Sequence, residues 1–277
     1  MGLINGFEFT NYEFTLEDRL AKIRAINEQY DLEHNAYIAF SGGKDSCVVS
    51  HLVDLALPGN KIPRVYVNTG IEYVAMVQFV KEKAKTDDRI IIINNKLNIK
   101  RTLKEKGYPF KSKEYSANLS TYRNNQKIVD NLVNELSAMS LEQINECFEE
   151  KYHKKRGIDI ALKLLNYRYN KNEKKVEKSF LLTIPNILRY QFSEELYKIP
   201  FKISDKCCLE FKEKPMARWQ KENNREVAIT GLMREEKGRR MSTLCTAFSK
   251  RTGKLKSFAP LSVITKEWEN EFVEREY

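Results

Sequence analysis

The segment of this sequence best suited to chemistry is Ser41-Gly42-Gly43-Lys44-Asp45-Ser46. Its two glycines let the backbone turn closely around a ligand, so that successive N–H groups can point at it. Lys44 adds a mobile positive charge, and Ser41 and Ser46 add hydroxyl donors. Such a loop predicts a binding site for phosphate groups, in which Asp45 is either a helix cap or a contact to Mg²⁺.

The loop stands between a predicted strand and a predicted helix. Residues 36–40 form a short apolar run before it, and residues 47–57 form an apolar segment after it that stops at Pro58-Gly59-Asn60. A helix that begins near Ser46 directs its positive dipole end towards an anion. The spacing differs from that of the Walker loop, which has four residues between its glycines, and therefore predicts a different grip on phosphate.

The same order of strand, turn and helix recurs along the chain. Strands are predicted at residues 64–67, 89–93 and 226–230, and a helix at residues 73–85. Strands that alternate with helices of this length predict an α/β fold, a Rossmann-like doubly wound and mostly parallel sheet with ligands at the carboxyl ends of its strands. Thr15, with Asp18 three residues later, predicts the start of an N-terminal helix.

Three parts of the chain are predicted from the change in pattern. Residues 1–123 form an N-terminal nucleotide-binding α/β region, residues 124–200 a basic and mainly helical insertion, and residues 201–277 the C-terminal part of the α/β domain. Neither an internal repeat nor a low-complexity linker separates them, so a second independent domain is not required.

The loop, followed by Val48, His51 and Leu52, resembles the hallmark of the PP-loop ATP pyrophosphatase superfamily, and within it the phosphoadenosine phosphosulfate (PAPS) reductase family. This resemblance implies a fold of the adenine nucleotide α-hydrolase type, the HUP type, with ATP or PAPS as ligand and Mg²⁺ as a cofactor.

Further segments extend the resemblance, and they imply more nucleotide-binding residues. One lies at the end of the second strand, one in a loop near residue 110, and one at residues 231–240, where Lys237 replaces the usual serine. The residues implied there are Val67, Asn68, Thr69, Gly70, Lys113, Gly231, Glu236 and Arg240. Arg240 is expected to be a second cation at the phosphates, so that Lys44, Asp45 and Arg240 form the catalytic set.

Three cysteines resemble ligands of an iron–sulfur cluster. Cys207 and Cys208 fall in a segment like the family's Cys-Cys loop, and Cys245 follows the Arg240 segment. Members that bind a 4Fe–4S cluster have a Cys-x-x-Cys pair beyond a segment like Pro260-Leu261-Ser262, and none occurs here before Tyr277. The cluster therefore has three cysteine ligands, or is absent, or has its fourth ligand beyond Tyr277.

The net charge of +10 favours a polyanionic partner. Residues 151–178 contain ten Lys or Arg against three acidic residues, with Tyr152, Tyr167 and Tyr169 among them. This mixture is typical of a surface that binds DNA or RNA by stacking and charge, and equally of a solvated helix face. No run of about 18 apolar residues and no secretion signal is found, so a cytoplasmic protein without membrane contact is expected.

The leading hypothesis is an enzyme that cleaves ATP to AMP and pyrophosphate and adenylylates a substrate. The resemblance implies sulfur transfer to nucleic acid as its use, as in DNA phosphorothioation enzymes or tRNA thiolases, with a sulfur-donor protein as partner. A sulfonucleotide (PAPS or APS) reductase is the alternative, although no catalytic cysteine tail of the family's kind follows Cys245. A third hypothesis is a nucleotide-binding accessory subunit of a defence or mobile-element complex, because Ala75 stands where the family often has glutamate.

Overall fold

The computed structural model describes residues 2–4, 7–110, 112–179, 201–236 and 241–276. Its strands are β1 (Gly2–Ile4), β2 (Phe7–Phe9), β3 (Ala36–Ala39), β4 (Arg64–Asn68), β5 (Ile90–Asn94), β6 (Tyr167–Asn170), β7 (Lys175–Lys178), β8 (Val227–Ile229), β9 (Thr246–Phe248) and β10 (Leu255–Phe258). Its longer helices are α1 (Asn11–Tyr30), α2 (Leu32–Asn35), α3 (Lys44–Ala56), α4 (Val74–Thr86), α5 (Ile99–Lys106), α6 (Lys113–Asn124), α7 (Gln126–Ser137), α8 (Leu141–Cys147), α9 (Ile158–Leu164), α10 (Lys214–Glu222) and α11 (Lys266–Glu276).

The chain divides into two compact units. Unit 1 consists of Met1–Lys96 and Phe211–Tyr277, and unit 2 of Leu97–Glu210. Unit 2 thus begins before the predicted insertion at residue 124, because α5 and the segment after it are tied to residues near 203. Tyr108 and Ile203 form a β-bridge, and the Ser204 hydroxyl donates to the Lys106 carbonyl at 2.6 Å.

Unit 1 contains a six-stranded sheet in the order β5-β4-β3-β8-β10-β9. The first five strands are parallel, and β9 is antiparallel to β10 at the edge. Most residues of β3 and β4 are buried on both faces, as expected of parallel strands between helix layers. The predicted α/β class with a mostly parallel sheet is confirmed.

The strand order places the loop after β3 at a switch in chain direction. From β3 the chain moves outwards through β4 to β5, and it later returns to β8 on the other side of β3. The loops that follow β3, β4 and β8 therefore meet at one edge of the sheet, where ligands of open α/β folds bind.

Helix α1 begins earlier than Thr15, so the predicted start was wrong. Thr10 is the N-cap, and its side chain and that of Glu13 form a capping box. Thr15 is inside the helix, where its hydroxyl donates to the Asn11 carbonyl at 2.8 Å. Both threonines have an acidic residue three positions later, so the pattern alone does not choose between them.

Unit 2 has its own apolar core, built from α6 to α9 and one β-hairpin. The hairpin β6–β7 falls in the segment predicted to be mainly helical, and it was missed because its strands are short and charged. Tyr152 is fully buried in this core, so it does not offer a face for stacking on a base. No helix in the described ranges is long and apolar enough to cross a membrane.

A buried arginine ties three elements of unit 1 together. Arg64 in β4 is inaccessible to solvent, and its guanidinium donates to Asp54 of α3 at 2.6 Å. Asp54 also accepts from Arg89 at 2.7 Å, and Arg89 pairs with Asp87 at 2.8 Å. Burial raises the pKa of Asp54, but the hydrogen bond from Arg89 and the charge of Arg64 outweigh it, so the pKa is lowered overall.

We expect Asp54→Asn to lower the free energy of unfolding by about 2 kcal/mol, because Arg64 loses its carboxylate partner in a buried position. Since the folded pKa of Asp54 lies below its unfolded value, its contribution is present above about pH 4 and is lost as the pH falls further. Urea denaturation at pH 7 and at pH 3 measures both effects. Asp88→Asn, at an exposed neighbouring site, is the control; an equal loss of stability in both variants contradicts the prediction.

Candidate functional site

The N-terminus of α3 is open to an anion. Gly42 has a φ of 76°, in the left-handed region, and Gly43 is the N-cap with a φ of −76°. Gly43 has no side chain to cap the helix, so the first-turn N–H groups of Lys44, Asp45 and Ser46 have no side-chain cap. Together with the helix dipole, these donors are an arrangement that can hold an anion such as a phosphate group.

The two serines of the loop hold its shape. The Ser46 hydroxyl donates to the Gly43 carbonyl at 2.8 Å and accepts from the backbone N–H of Ser41 at 3.2 Å. The Ser41 hydroxyl lies 3.1 Å from the Ser46 hydroxyl and accepts from the Gly43 N–H at 3.3 Å. Both hydroxyls therefore fix the turn through hydrogen bonds within the loop.

Close packing requires glycine at two positions of the site. A Cβ on Gly42 would lie 2.7 Å from a methyl carbon of Val80 and 2.8 Å from the sulfur of Met76, both in α4. A Cβ on Gly231, after β8, would lie 2.9 Å from the carbonyl carbon and oxygen of Asp45. The structure thus brings Gly231 to the loop and places α4 behind Gly42. The nucleotide-binding role of Gly231 stays a prediction.

The segment after β4 closes on itself. The Asn68 amide oxygen accepts from the Gly70 N–H at 3.1 Å, and its amide nitrogen donates to Asn94 at 3.1 Å. Glu72 accepts from the Thr69 N–H at 3.0 Å and from the Thr69 hydroxyl at 2.7 Å. This turn lies at the carboxyl edge beside the loop.

Not every residue of this segment has a side chain at that edge. Val67 is buried in β4, so only its backbone remains for a ligand.

The Lys44 ammonium group is held by the C-terminal helix, α11. Its Nζ lies 2.7 Å from Glu269 Oε2 and donates to Asn270 Oδ1 at 2.7 Å. Glu269 is almost fully buried, and burial raises the pKa of its carboxyl, which Asp45 raises further and Lys44 lowers. Sequence reasoning missed both residues. The available signal was an acidic residue at a position that helical spacing places with Phe272 and Val273 on the apolar face.

A cavity of about 510 Å³ lies along the flank of α3 in unit 1. Gly42 and Lys44 border it at the loop end, and its walls are mainly apolar, with Phe40, Phe79 and Ile90 among them. Its volume is in the range of small-molecule sites. It adjoins the loop at Gly42 and Lys44, whereas Asp45 and Ser46 do not line it.

The other predicted site residues are distributed over both units. Lys113 is the first residue of α6 in unit 2, and Glu236 is half-buried in a 3₁₀ turn of unit 1. Arg240 and Lys237 lie outside the described residues. The roles inferred for Lys113, Glu236 and Arg240 stay predictions.

The cysteines predicted to be cluster ligands have different settings. Cys207 and Cys208 are adjacent, with sulfur atoms 4.0 Å apart. The pKa of Cys207 is raised mainly by its burial and further by the neighbouring Cys208 thiol. Cys245 packs against the core of unit 1. Within the described ranges, no group of three or more His, Cys, Asp or Glu side chains is arranged to hold a metal ion. A cluster ligated by these cysteines therefore stays a prediction.

Magnesium has a different requirement. It is commonly bound through one or two carboxylates together with the phosphates of a nucleotide, and Asp45 offers a carboxylate at the loop.

Residues 35–144 match the family of the phosphoadenosine phosphosulfate reductase domain. The resemblance seen in the loop is confirmed. The matched segment contains β3, the whole loop, α3 and the turn after β4. Among solved structures, the crystal structure of PAPS reductase from Candida auris in its phosphate complex matches with a TM-score of 0.43 and 9% identity, over 97% of this chain and 88% of that chain. No curated protein matches the sequence.

We expect Gly42→Ala to lower the free energy of unfolding by more than the cost of placing alanine in a left-handed backbone conformation, because its Cβ would collide with α4. Gly59→Ala is a matched control, since Gly59 has a φ of 77° and open space around its Cβ position. The control should cost about 1 kcal/mol, and Gly42→Ala about 1–3 kcal/mol more. Chemical denaturation of both variants provides the measurement. Equal losses of stability contradict the close packing at Gly42.

Proposed function

We propose that the loop at residues 41–46 binds the phosphate chain of an adenine nucleotide. The uncapped N-terminus of α3 carries this proposal, because it offers several N–H donors and a helix dipole to one anion. The match of residues 35–144 to the PAPS reductase domain supports an adenine nucleotide as the ligand. ATP and PAPS both provide the required phosphates.

The reaction that we propose is cleavage of ATP between its α- and β-phosphates. An acceptor oxygen attacks the α-phosphorus, the bond from that phosphorus to the bridging oxygen breaks, and pyrophosphate leaves with the electron pair. The N–H groups of Lys44, Asp45 and Ser46 would stabilise the charge that develops on the phosphate oxygens. When bound, Mg²⁺ would supply further charge neutralisation, with Asp45 as the protein's ligand.

Adenylylation would serve sulfur transfer to a nucleic acid in this proposal. The adenylylated oxygen becomes a good leaving group, and a sulfur nucleophile from a donor protein can displace it as AMP. The basic segment of unit 2 supports a nucleic-acid acceptor. Of its ten cations, Lys154, Arg156, Lys171, Lys174 and Lys178 are exposed and have no ion-pair partner among the described residues, whereas Lys151, Lys155, Lys163, Arg168 and Lys175 are paired.

Reduction of a sulfonucleotide is the second candidate function. The family match favours it directly, because PAPS reductase is the activity that names the matched domain. It needs one thiol that attacks the sulfonate sulfur and displaces the nucleotide, which leaves an S-sulfo thiol. A second thiol, supplied by a dithiol reductant, then attacks that thiol's sulfur, so that sulfite leaves and a disulfide forms. Cys208 is the most exposed of the five cysteines, so it is the first candidate for the thiol that attacks the sulfonate.

Exchange of labelled pyrophosphate into ATP tests the leading proposal. We expect exchange in the wild-type protein and a loss of about tenfold to a hundredfold in Lys44→Met/Glu269→Gln, because a charged hydrogen bond to phosphate is removed. Glu269→Gln is included because Lys44→Met alone would leave the buried Glu269 carboxylate without its cation. If neither pyrophosphate exchange nor AMP formation is detected, and sulfite is released from PAPS, the second candidate is favoured over the first.

Nucleic-acid binding is tested by charge reversal in unit 2. We expect Lys171→Glu/Lys174→Glu to weaken DNA or RNA binding. The slope of log affinity against log salt should fall by about 0.9 for each duplex phosphate that the protein no longer neutralises, or by about 0.7 for each phosphate of a single strand. Lys250→Glu/Arg251→Glu, at exposed positions of unit 1, gives the same charge change as a control. Equal effects of the two double variants would show that net charge alone governs the binding.

A further inference from the structure

Lys44 does not point freely into solvent at the loop. Two of its three N–H donors have partners on α11, Glu269 Oε2 and Asn270 Oδ1, each 2.7 Å from Nζ. Both acceptors are more than 220 residues away in the sequence. An ammonium group held by a carboxylate and an amide is restrained in position, and its charge is already compensated by Glu269.

Glu269 is an unusual partner because it is buried. Its side chain is 1% exposed, whereas that of Lys44 is 42% exposed. The second carboxylate oxygen, Oε1, is buried and accepts no hydrogen bond from a donor in the described part of the chain, and the neighbouring Asp45 carboxyl raises the pKa of Glu269. A buried carboxylate depends on its counter-ion, since loss of the partner leaves an uncompensated charge in a poorly solvated place. The Lys44 ammonium group therefore compensates the charge of a buried carboxylate.

The helix that carries Glu269 is firmly anchored in unit 1. Trp268 stacks on Tyr12 and on Phe272, with ring centroids 5.3 Å apart in both pairs, and its indole N–H donates to the Tyr12 carbonyl at 3.2 Å. The ring of Phe272 also meets His51 of α3 edge to face. The position of the Glu269 carboxylate is thus set by the packing of α11 against α1 and α3.

We propose that Glu269 is a positioning residue for Lys44, which holds the ammonium group beside the loop until a phosphate chain competes for it. The proposal rests on the phosphate-binding function proposed above and adds the regulation of that site. Asn270 accepts a second hydrogen bond from Lys44 and adds no charge. A phosphate bound at the N-terminus of α3 first meets backbone donors, and it gains the lysine only against Glu269. Affinity for phosphate is consequently lower than the loop would give with an unrestrained lysine.

Removal of the Glu269 charge tests this competition. We expect Glu269→Gln to bind inorganic pyrophosphate and ATP about threefold to tenfold more tightly by calorimetry, because Lys44 is released while an oxygen acceptor of the same shape remains. Asn270→Asp should bind both ligands more weakly, since it adds a second carboxylate at the ammonium group. Glu274→Gln is the matched control on the exposed face of the same helix and should change affinity less than twofold.

A double-mutant cycle shows whether Glu269 affects ligand affinity through Lys44 or through direct repulsion between its carboxylate and the ligand. In a Lys44→Met background, Glu269→Gln should change ligand affinity less than twofold if Glu269 acts through the lysine. A gain that persists in that background overturns the positioning role. Thermal melting of each variant confirms that it is folded.

The labelling rate of the Lys44 amine gives a readout that needs no nucleotide. Acylation by an amine-reactive reagent, followed by mass spectrometry, should proceed several times faster at Lys44 in Glu269→Gln than in wild type or Glu274→Gln. Unchanged labelling overturns the proposal. If labelling rises but no variant binds pyrophosphate or ATP, the phosphate-binding function fails, and the proposed competition fails with it, while the contact itself stands.

Discussion

Crowding at the carboxyl edge of the sheet is the constraint on which the site depends. Because β3 lies between β4 and β8, three connecting segments meet at the point where β3 ends. Side-chain atoms are excluded at two of their contacts, Gly42 against α4 and Gly231 against the backbone of Asp45. The space that the missing side chains leave is what allows the backbone to turn and to present its N–H groups at the start of α3.

The same crowding determines where charge can be placed. At the first turn of α3, the positive end of the helix dipole is formed by backbone N–H donors that no side chain caps. The one lysine of the loop, Lys44, instead contacts the buried Glu269 carboxylate on α11. Backbone dipoles are fixed by the fold and need no reorganisation when a phosphate arrives. The lysine must change partners or share its remaining donor. The loop therefore contains one fixed and one exchangeable source of positive charge.

The sequence predicted the loop and four of the six strands of the sheet, because these depend on local patterns, whereas β9 and β10 were not predicted. Short apolar runs predicted β3, β4, β5 and β8 within one or two residues, and the diglycine segment predicted the open helix start. Long-range features were not accessible in this way. That Tyr152 belongs to a core, or that Glu269 reaches Lys44, depends on which helices pack together, and helical periodicity alone does not say that. The charged hairpin β6–β7 was missed for a different reason, since Tyr167–Asn170 and Lys175–Lys178 lack the apolar alternation that marks a strand.

The matched segment alone cannot form this site. Residues 35–144 include the loop, but Gly231 follows β8, and Glu269 and Asn270 belong to α11. The contacts that shape the loop and hold its lysine thus join positions that are about 190 and 225 residues apart. The pairing of β8 with β3 is what places Gly231 against Asp45. The proposed phosphate binding at the loop would therefore depend on parts of unit 1 outside the matched segment, and a substitution in α11 would alter it without changing the loop sequence.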